Sequence, residues 1–320
     1  MNVGGAVIKP ADIVASVVAG NTIYIKSGTY TSQLFDLAVD GTAEAYIKWV
    51  GYTGSRAEAN LNDRPIFNGN GVDYTVLIAD QAYNEFRNLK ITNSTRYGCS
   101  PTGLGLIFKN CRFYSCGLDG TSGGSVTYPV FIGCEADSNS RYGFNHSNSG
   151  GTMINCYSHD NADVGYFIFG SRQGAGFIGC ISESNSSHGF LIDGATGNRV
   201  IYGCIAYNNT GTSDGIYLNY SSDQGICLIN NISMNNGRYG FNKDTGCTIN
   251  LFDFNSYYGN ATAGLNNITA GSHDITTDPL FTAPTANPPD FTLQSASPCK
   301  DAGFPDADWA ANVGLAAGRY

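Results

Sequence analysis

Most of the chain consists of short runs in which apolar or small residues alternate with polar ones, with a period of two residues. Polar turns separate these runs. Segments such as YPVFIGCEA (128–136) and GAGFIGCIS (174–182) place apolar or small residues between Gly, Asn, Ser and Asp. This pattern is typical of short strands joined by turns. No ten-residue segment between Cys111 and Gly264 shows helical periodicity. The pattern therefore predicts an all-β structure.

These runs repeat in register, and the repeat produces three columns of identical residues. The first column is Cys111, Cys134, Cys156, Cys180 and Cys204, continued by Asn231 and Asn255. The second lies five residues later, at Asn139, Asn161, Asn185, Asn209, Asn236 and Asn260. The third is glycine at 98, 120, 143, 165, 189, 215, 240 and 264, at intervals of 22 to 26 residues. A fixed period of this size indicates a solenoid, in which each repeat buries its apolar face against its neighbours.

The chemistry of the repeat favours a right-handed parallel β-helix with about three short strands per coil. Leucine-rich repeats have a comparable length, but they need recurrent leucines that this chain lacks. Asparagine accepts left-handed backbone conformations and bonds to the asparagine above and below it, which suits a repeated turn. Cysteine is small and easily buried, so the cysteine column predicts interior packing rather than a disulfide chain or a metal site.

The columns also suggest boundaries for one elongated domain. Residues 1–20 are expected to form an N-terminal cap, in which Ile13, Val14, Val17 and Val18 make one apolar stripe of a short helix. Residues 21–265 are expected to form the β-helix and residues 266–320 a loop-rich C-terminal capping segment. No secretory leader precedes Gly4, which predicts either a protein that works where it is made or a leader already removed.

The composition of the chain limits the classes of partner that it is expected to bind. The chain has 320 residues, of which 13% are charged, and its formal net charge is −9. Nucleic-acid binding needs clustered Lys and Arg, so no nucleic-acid partner is expected. No apolar run approaches membrane-spanning length, so no membrane partner is expected. No cofactor motif is present, and we expect no cofactor, apart from calcium if the protein is a lyase.

Both ends of the array resemble a known superfamily. GNTIYIKSGTYTS (20–32), GTAEAYIKWVGYTG (41–54) and RPIFNGNG (64–71) look like the first coils of right-handed parallel β-helix proteins of the pectate-lyase-like superfamily. DPLF (278–281) and DFTLQSASPCKDAG (290–303) resemble its closing segment. The resemblance implies the fold. It leaves function open, since the superfamily includes polysaccharide lyases, glycosidases, epimerases, and spikes and decoration proteins of bacterial viruses.

Two sets of outward side chains are candidates for function. Offsets of one and three from the cysteine column predict a patch of Arg112, Glu135, Asp137, Tyr157, His159, Glu183 and Tyr207. Its carboxylates suit either glycoside hydrolysis or a solvated acidic face. A second column carries the repeated Arg-Tyr pairs Arg96–Tyr97, Arg141–Tyr142 and Arg238–Tyr239, which suit either stacking on sugars or capping of turns.

A shorter resemblance concerns catalysis. RYGFNHS (141–147) resembles the YGFDPH-type motif of alginate epimerases and related lyases, which implies that Tyr142 and His146 handle the sugar C5 proton. Asn145 stands where that motif has Asp, and no Pro precedes His146. If the protein is an enzyme, the candidate catalytic residues are Tyr142, His146 and Arg141 of this segment, together with His159 and Glu183 of the outward patch.

Three classes of function follow. The leading expectation is a structural β-helix of a virus particle, of the capsid-decorating or tail-spike type, that gives rigidity and attachment. Its partners would be other virion proteins or a surface polysaccharide, and a homo-oligomer such as a trimer is compatible with it. The alternatives are a secreted lyase, hydrolase or C5-epimerase acting on an acidic polysaccharide, and a non-catalytic carbohydrate-binding module. Cys99 and Cys116 are left open as a disulfide pair.

Overall fold

A computed structural model describes residues 16–31, 35–53, 63–78, 80–123, 128–147, 150–170, 174, 176–194, 199–219 and 225–304. Over these residues the chain winds through three parallel sheets of ten strands each, and each coil adds one strand to each sheet. A fourth, antiparallel sheet has two strands. The predicted all-β parallel solenoid is confirmed.

Strand bounds follow the coils. Sheet A contains β1 (Thr22–Lys26), β4 (Ile47–Tyr52), β7 (Asn84–Arg87), β10 (Ile107–Lys109), β13 (Val130–Ile132), β16 (Thr152–Ile154), β19 (Gly176–Ile178), β22 (Arg199–Tyr202), β25 (Ile226–Ile229) and β28 (Ile249–Asp253). Sheet B contains β2 (Thr29–Thr31), β5 (Ile66–Asn68), β8 (Lys90–Thr92), β11 (Arg112–Tyr114), β14 (Glu135–Asp137), β17 (Tyr157–His159), β20 (Ile181–Glu183), β23 (Ile205–Tyr207), β26 (Ile232–Met234) and β29 (Ser256–Tyr258). Sheet C contains β3 (Phe35–Asp36), β6 (Tyr74–Ile78), β9 (Tyr97–Pro101), β12 (Thr121–Ser122), β15 (Phe144–Ser147), β18 (Tyr166–Phe169), β21 (Phe190–Asp193), β24 (Ile216–Asn219), β27 (Tyr239–Lys243) and β30 (Ala263–Asn266).

The corner from sheet A to sheet B is very short, because one residue with positive φ turns the chain there. Asn110 has φ of 50°, and in the next coil Gly133 has φ of 58°. Only glycine and, at small cost, asparagine adopt this conformation readily. The alternation of Asn and Gly just before the cysteine column is therefore a backbone requirement.

The asparagine column forms a continuous ladder at the corner from sheet B to sheet C. Asn139 Nδ2 donates to Asn161 Oδ1 at 2.9 Å, and Asn161 Nδ2 donates to Asn185 Oδ1 at 2.9 Å. The backbone N–H of each residue donates to the same oxygen at 3.1 Å. The ladder continues through Asn209, Asn236 and Asn260. Each buried amide is thus satisfied by the next coil, which avoids the cost of an unpaired polar group.

The five cysteines of the column are fully buried, as the packing interpretation predicts. Where the column continues as Asn231 and Asn255, the two amides bond to each other at 3.0 Å. Burial raises the pKa of the Cys156 thiol. Cys99 and Cys116, left open as a disulfide pair, are both free thiols in this structure.

The interior pairs large with small residues across the coil. Sheet C contributes a stack of Phe144, Tyr166 and Phe190, with ring centroids 5.2 and 4.7 Å apart. In the same coils sheet B offers only Ala136, Ser158 and Ser182 as buried inward residues. Alternating size in this way fills the core at native density.

The last strands that the structure describes lie on the side of the solenoid. Strands β31 (Phe281–Ala283) and β32 (Asp290–Leu293) form an antiparallel hairpin, which we name the C-terminal hairpin. Phe281 and Phe291 pack against Ile205 and Tyr207 on the outer face of sheet B. The helix expected in residues 1–20 lies largely outside the described residues; within them, Val17 packs against the core. No helix in the described part of the chain is long and apolar enough to cross a membrane.

Candidate functional sites

The predicted outward patch lies on sheet B, and its residues stack as the register requires. Arg112, Glu135 and Tyr157 occupy one column, and Asp137, His159 and Glu183 occupy the next. The expectation of a solvated acidic face is wrong for part of this patch. Asp137 is 3% exposed and Tyr157 is 7% exposed, because cationic neighbours and the C-terminal hairpin cover them.

A pocket opens beside this covered region. Its volume is about 510 Å³, and sheet B and the connection between the two hairpin strands form its walls. It is lined by Arg64, Lys90, Arg112, Glu135, Tyr157, His159, Asp160, Glu183, Ala286, Asn287, Pro288 and Pro289. We name it the sheet B pocket.

One end of the sheet B pocket is basic. Lys90 and Arg112 are register neighbours on adjacent strands, and Arg64 precedes the strand below them. Arg64 is 5% exposed and donates from Nη1 to the carbonyl of Asn110 at 2.8 Å. Burial lowers the pKa of Lys90, and the charges of Arg64 and Arg112 lower it further. Three cations therefore lie together at one end of the pocket, and the charges of Glu135 and Asp63 partly offset them.

The other end carries carboxylates that have protein partners. Arg112 forms a two-bond ion pair with Asp137, at 2.7 and 2.8 Å. The Tyr157 hydroxyl donates to Glu183 Oε2. Burial raises the pKa of Glu183, so its proton is held more tightly than that of an ordinary glutamic acid.

At the rim of the pocket, His159 lies between the carboxylates of Glu135 and Asp160. Its Nε2 lies 3.2 Å from Glu135 Oε1 and its Nδ1 lies 2.9 Å from Asp160 Oδ2. Burial alone would lower its pKa, but the bonds to Asp160 and Glu135 outweigh burial and raise the pKa to about 9. His159 therefore adds a positive charge to the pocket at neutral pH.

Ligand atoms of Glu135, Asp137 and His159 lie within 4.8 Å of one another, which is compatible with a metal ion. However, both oxygens of Asp137 already bind the Arg112 guanidinium. A divalent ion would have to share these carboxylates with that cation. These residues therefore fit calcium poorly, and we derive no step through a metal here.

Sequence reasoning missed Arg64, Lys90 and the Ala286–Pro289 wall. Lys90 follows Leu89, which holds the cysteine position one coil before Cys111. Extending the column by that coil would have found it. The wall carries no periodic signal, because the hairpin lies outside the repeat.

On the edge of sheet C, two of the three Arg-Tyr pairs are held by a buried aspartate from the preceding coil. Asp119, which is fully buried, accepts from Arg141 Nε at 2.6 Å and from Asn145 Nδ2 at 2.8 Å. It also accepts from the backbone N–H of Tyr142. In the sequence RYGFN, Arg, Tyr and Asn thus bind one carboxylate.

The same arrangement recurs around Asp214. Arg238 Nε donates to Asp214 Oδ1 at 2.7 Å, and Asn242 Nδ2 donates to Asp214 Oδ2 at 2.8 Å. The guanidinium also lies over the Tyr239 ring, 5.2 Å from its centroid. Asp119 therefore neutralises Arg141, and Asp214 neutralises Arg238 in the same way.

Arg96 differs from its two counterparts. It is exposed, and its guanidinium lies 4.9 Å from the centroid of the Tyr97 ring. Tyr74 stands beside Tyr97 in the preceding coil, with the ring centroids 5.5 Å apart. Among the described residues, no carboxylate forms an ion pair with Arg96 as Asp119 does with Arg141. Its charge is therefore available to a ligand.

Partly exposed rings follow this edge and the outer face of sheet C across several coils. We name this set the aromatic row: Tyr74, Tyr97, Tyr142, Phe167, Tyr217 and Tyr239. Tyr142 packs against Phe167 with a centroid distance of 4.7 Å, and Phe167 stacks on Phe169 at 6.2 Å. Phe169 is 43% exposed. Repeated exposed rings on one side of a rod suggest a binding surface.

The structure does not place His146 with Tyr142 in a catalytic site. Side chains alternate along β15, so Phe144 and His146 point inward while Asn145 points outward. His146 is fully buried and its ring packs against Phe131 at 5.2 Å. Burial lowers its pKa to about 3. The expectation of a catalytic His146 is therefore corrected, because a polymer on the surface does not reach this ring.

The outer face of sheet C also carries acidic groups near the aromatic row. The Tyr217 hydroxyl donates to Asp244 Oδ1 at 2.9 Å. Burial and the charge of Asp244 raise the pKa of Asp193. Lys243 donates from Nζ to the Cys247 carbonyl at 2.9 Å, which directs its ammonium away from these carboxylates. Asp193 and Asp244 lie two coils apart in one register column of sheet C, with Asn219 between them. Their side-chain oxygens are of the type that calcium prefers.

Comparison with known proteins agrees with this architecture. Residues 66–201 match the family model described as the right handed beta helix region. The structure of pectate lyase Pel9A superposes with a TM-score of 0.74 at 19% identity, covering 93% of this chain and 86% of that one. A rhamnogalacturonan lyase superposes with a TM-score of 0.61 at 14% identity, covering 95% of this chain and 92% of that one.

A viral protein has the same fold. ORF18 of Geobacillus virus E2 superposes with a TM-score of 0.53 at 16% identity, covering 82% of this chain and 57% of that one. No curated protein matches the sequence. At these identities the likeness shows the fold alone. The chain therefore has a parallel β-helix fold, which it shares with these proteins.

Proposed function

We propose that the protein is a rigid attachment β-helix of a virus particle that binds a surface polysaccharide along sheet C. The aromatic row is the observation that carries this proposal. Tyr74, Tyr97, Tyr142 and Tyr239 share one register column, and Phe167 and Tyr217 share a second one. Both columns run along the solenoid, so an extended sugar chain can contact several rings in turn. Arg96 supplies a charge for an acidic sugar.

Apart from Arg96, the polar groups on this edge of sheet C already have protein partners or are buried, which supports a binding role without catalysis. Arg141 and Arg238 are bound by buried carboxylates, and His146 is in the core. Acid–base work on a sugar needs an acid, a base and a charge stabiliser within reach of one substrate pose. The RYGFN motif provides a structural clamp instead.

The virus-particle setting is supported by two observations. ORF18 of Geobacillus virus E2 shares the fold. The ten cysteines are free and mostly buried, which suits folding in a reducing cytosol. Detection of the protein in purified particles by mass spectrometry tests this part of the proposal, and its absence from them would count against it.

Binding is tested on an array of acidic and neutral polysaccharides, followed by calorimetry on any that bind. Tyr142→Ala and Tyr97→Ala should each weaken binding, because each removes one ring of the row. Tyr24→Ala is the matched control, since Tyr24 is 49% exposed but lies on sheet A. Equal losses from Tyr24→Ala and Tyr142→Ala would reject the aromatic row as the site.

A calcium-dependent lyase acting on an acidic polysaccharide is the second candidate. The carboxylates Asp193 and Asp244, which lie two coils apart near Tyr217, favour it, as does the likeness to two polysaccharide lyases. In this case calcium and a substrate carboxylate would meet on the outer face of sheet C. Incubation with pectate and alginate, with and without calcium, tests it through the absorbance of unsaturated products. Turnover lost in Asp244→Asn would place the lyase first.

A further inference from the structure

Sheet A has an outer face that the proposed function does not use. Five consecutive strands, β13, β16, β19, β22 and β25, each point two side chains outward, and the parallel register stacks them into two columns along the solenoid. One column, which we name the groove column, is Val130, Thr152, Gly176, Val200 and Cys227. The other, which we name the ridge column, is Ile132, Ile154, Ile178, Tyr202 and Ile229. None of these side chains is charged, and together they form what we name the sheet A face.

The sheet A face is open to solvent. Val200 is 42% exposed, and Leu251, which extends the groove column by one coil, is 41% exposed. Neither hydrophobic cluster of the described residues includes an outward side chain of these strands. Sheet B shows the contrast, because the C-terminal hairpin packs on its outward isoleucines and buries Ile181 and Ile205. The molecule thus covers an apolar outer face on sheet B, and in the described part of the chain it leaves a comparable face open on sheet A.

The two columns of the sheet A face differ in size at every coil. Each residue of the ridge column is larger than its groove-column neighbour on the same strand, and the difference is greatest where Ile178 lies beside Gly176. A two-fold axis parallel to the solenoid would exchange the two columns between facing copies. The ridge of each copy would then enter the groove of the other, as large and small residues do in a packed core. The face is therefore complementary to itself.

The charges at the two ends of the sheet A face do not oppose such a contact. Lys109 precedes the ridge column and pairs with Glu85 at 2.7 Å. Asp253 follows the ridge column, and its Oδ2 lies 2.8 Å from Nδ1 of His273. Each end is therefore compensated within its own copy, and like charges are not forced together when two identical faces meet.

The area of the sheet A face is sufficient for a weak dimer. With Ile107 and Leu251 at its ends, the face extends over about 29 Å at the coil spacing. If each outward side chain exposes on the order of 50 Å², two copies would bury about 1,200 Å², which is the lower limit for a specific interface. A second copy presents a flat surface of the same length, so it can cover the whole face at once.

We propose that two copies of this chain pack through the sheet A face with their solenoids parallel, related by a two-fold axis along the rod. Ile178 of each copy contacts Gly176 of the other, at the same level of the solenoid. Sheet C remains exposed in this dimer. Polysaccharide binding is not needed for it, so this proposal and the proposed function can fail separately.

Sedimentation velocity between about 1 and 100 µM tests the proposal, because an interface of this size is expected to be reversible at such concentrations. The wild-type protein should pass from monomer to dimer as its concentration rises. The dimer should persist in about 0.5 M sodium chloride, since salt screens ionic contacts and this contact is apolar. A monomer over the whole range, a trimer, or dissociation by salt would each overturn the proposal.

Two substitutions probe the centre of the contact. Ile178→Lys should weaken the dimer about 100-fold or more, because it buries a charge there. Gly176→Val adds an apolar group, yet it should also weaken the dimer about tenfold, because the new side chain occupies the space of the second copy's Ile178. Within one copy, a Cβ at Gly176 meets only the Val200 carbonyl oxygen, at 3.8 Å, so the fold accepts this change.

Phe169→Lys is the matched control for these variants. Phe169 is 43% exposed and lies on sheet C, so its replacement should leave the dimer unchanged. Equal losses in Phe169→Lys and Ile178→Lys would overturn the proposal. Tighter association of Gly176→Val would also overturn it, because that result indicates general adhesion of an apolar surface rather than a ridge in a groove.

The native Cys227 reports the register of the two copies. In the proposed dimer it faces position 229 of the other copy, so Ile229→Cys should give a disulfide-linked dimer on mild oxidation. Ile132→Cys is the control, since position 132 faces Val130 and should give no linked dimer. Equal linkage in both variants, or linkage in neither, would overturn the parallel arrangement.

Discussion

The outer faces of sheet B and sheet C use similar residues in opposite ways. On sheet C, arginine and aspartate from adjacent coils neutralise each other, and the exposed surface is left to aromatic rings. On sheet B, the charges converge on a pocket, and the aromatic residues Tyr157 and Tyr207 are covered by the C-terminal hairpin. A repeat therefore fixes the fold on both faces, and function is expected where the repeat is interrupted.

Two features of the structure, Arg96 and the C-terminal hairpin, interrupt the repeat. Arg96 occupies the same position as Arg141, but within the described part of the chain no buried aspartate of the coil before it forms an ion pair with it. The C-terminal hairpin breaks the symmetry of sheet B by covering some coils and leaving others open. Each interruption leaves a group that the solenoid itself does not need.

The largest expected effect is on sheet C. Asp119→Ala removes a fully buried carboxylate that binds Arg141, Asn145 and the backbone of Tyr142. We expect the free energy of unfolding to fall by about 2–4 kcal/mol. This is less than the loss for a fully buried ion pair, because Arg141 is partly exposed. Chemical denaturation measures it. On sheet B, Asp160→Ala should cost much less, since the Asp160 side chain is 62% exposed. Equal losses would contradict the distinction between the two faces.

A fall in pH should destabilise the protein through His146 on sheet C. The folded pKa of His146 is lowered from 6.5 to about 3, so the unfolded chain binds its proton first as the pH falls. The stability contributed by neutral His146 is present above pH 6.5 and is lost below it. Between pH 7 and pH 5 the loss should be about 2 kcal/mol. Unfolding curves of His146→Leu should lack this component; an unchanged pH dependence would show that the ring is not buried.

A rise in pH should destabilise the protein through His159 on sheet B, which is the opposite pH dependence. The folded pKa of His159 is raised from 6.5 to about 9 by Asp160 and Glu135, despite burial. Its contribution is fully present below pH 6.5 and is lost as the pH rises to 9. We expect about 1 kcal/mol, discounted for the exposure of Asp160. Thermal unfolding of wild type and His159→Gln between pH 6 and pH 9 measures it, and parallel curves would disprove it.

The smallest effect on stability should come from Arg96. Arg96→Ala should leave the free energy of unfolding within about 0.5 kcal/mol of wild type, because the residue is exposed. If the aromatic row binds an acidic polysaccharide, the same change should weaken binding about fivefold through one lost ionic contact. Arg141→Ala should show the reverse, with reduced stability and little direct effect on binding. Identical behaviour of the two variants would remove Arg96 from the proposed site.

The sequence predicted what is periodic and missed what is not. The cysteine, asparagine and glycine columns were sufficient for the fold, because each column repeats one physical requirement of a coil. The inward direction of His146 was also readable, since it lies two residues after Phe144 on the same strand. The return of Phe281 and Phe291 onto sheet B was not readable, because packing between a hairpin and a sheet has no register in the sequence.

The asparagine ladder has a consequence for the length of the rod. Each amide is satisfied by the coil that follows, so the ladder is equally complete with one coil more or one fewer. Duplication of an entire coil between Asn161 and Asn185 would therefore lengthen the protein without creating an unpaired group, whereas deletion of a few residues within a coil would displace every amide beyond it. Evolution and protein engineers can thus adjust the reach of this molecule in whole steps of one coil.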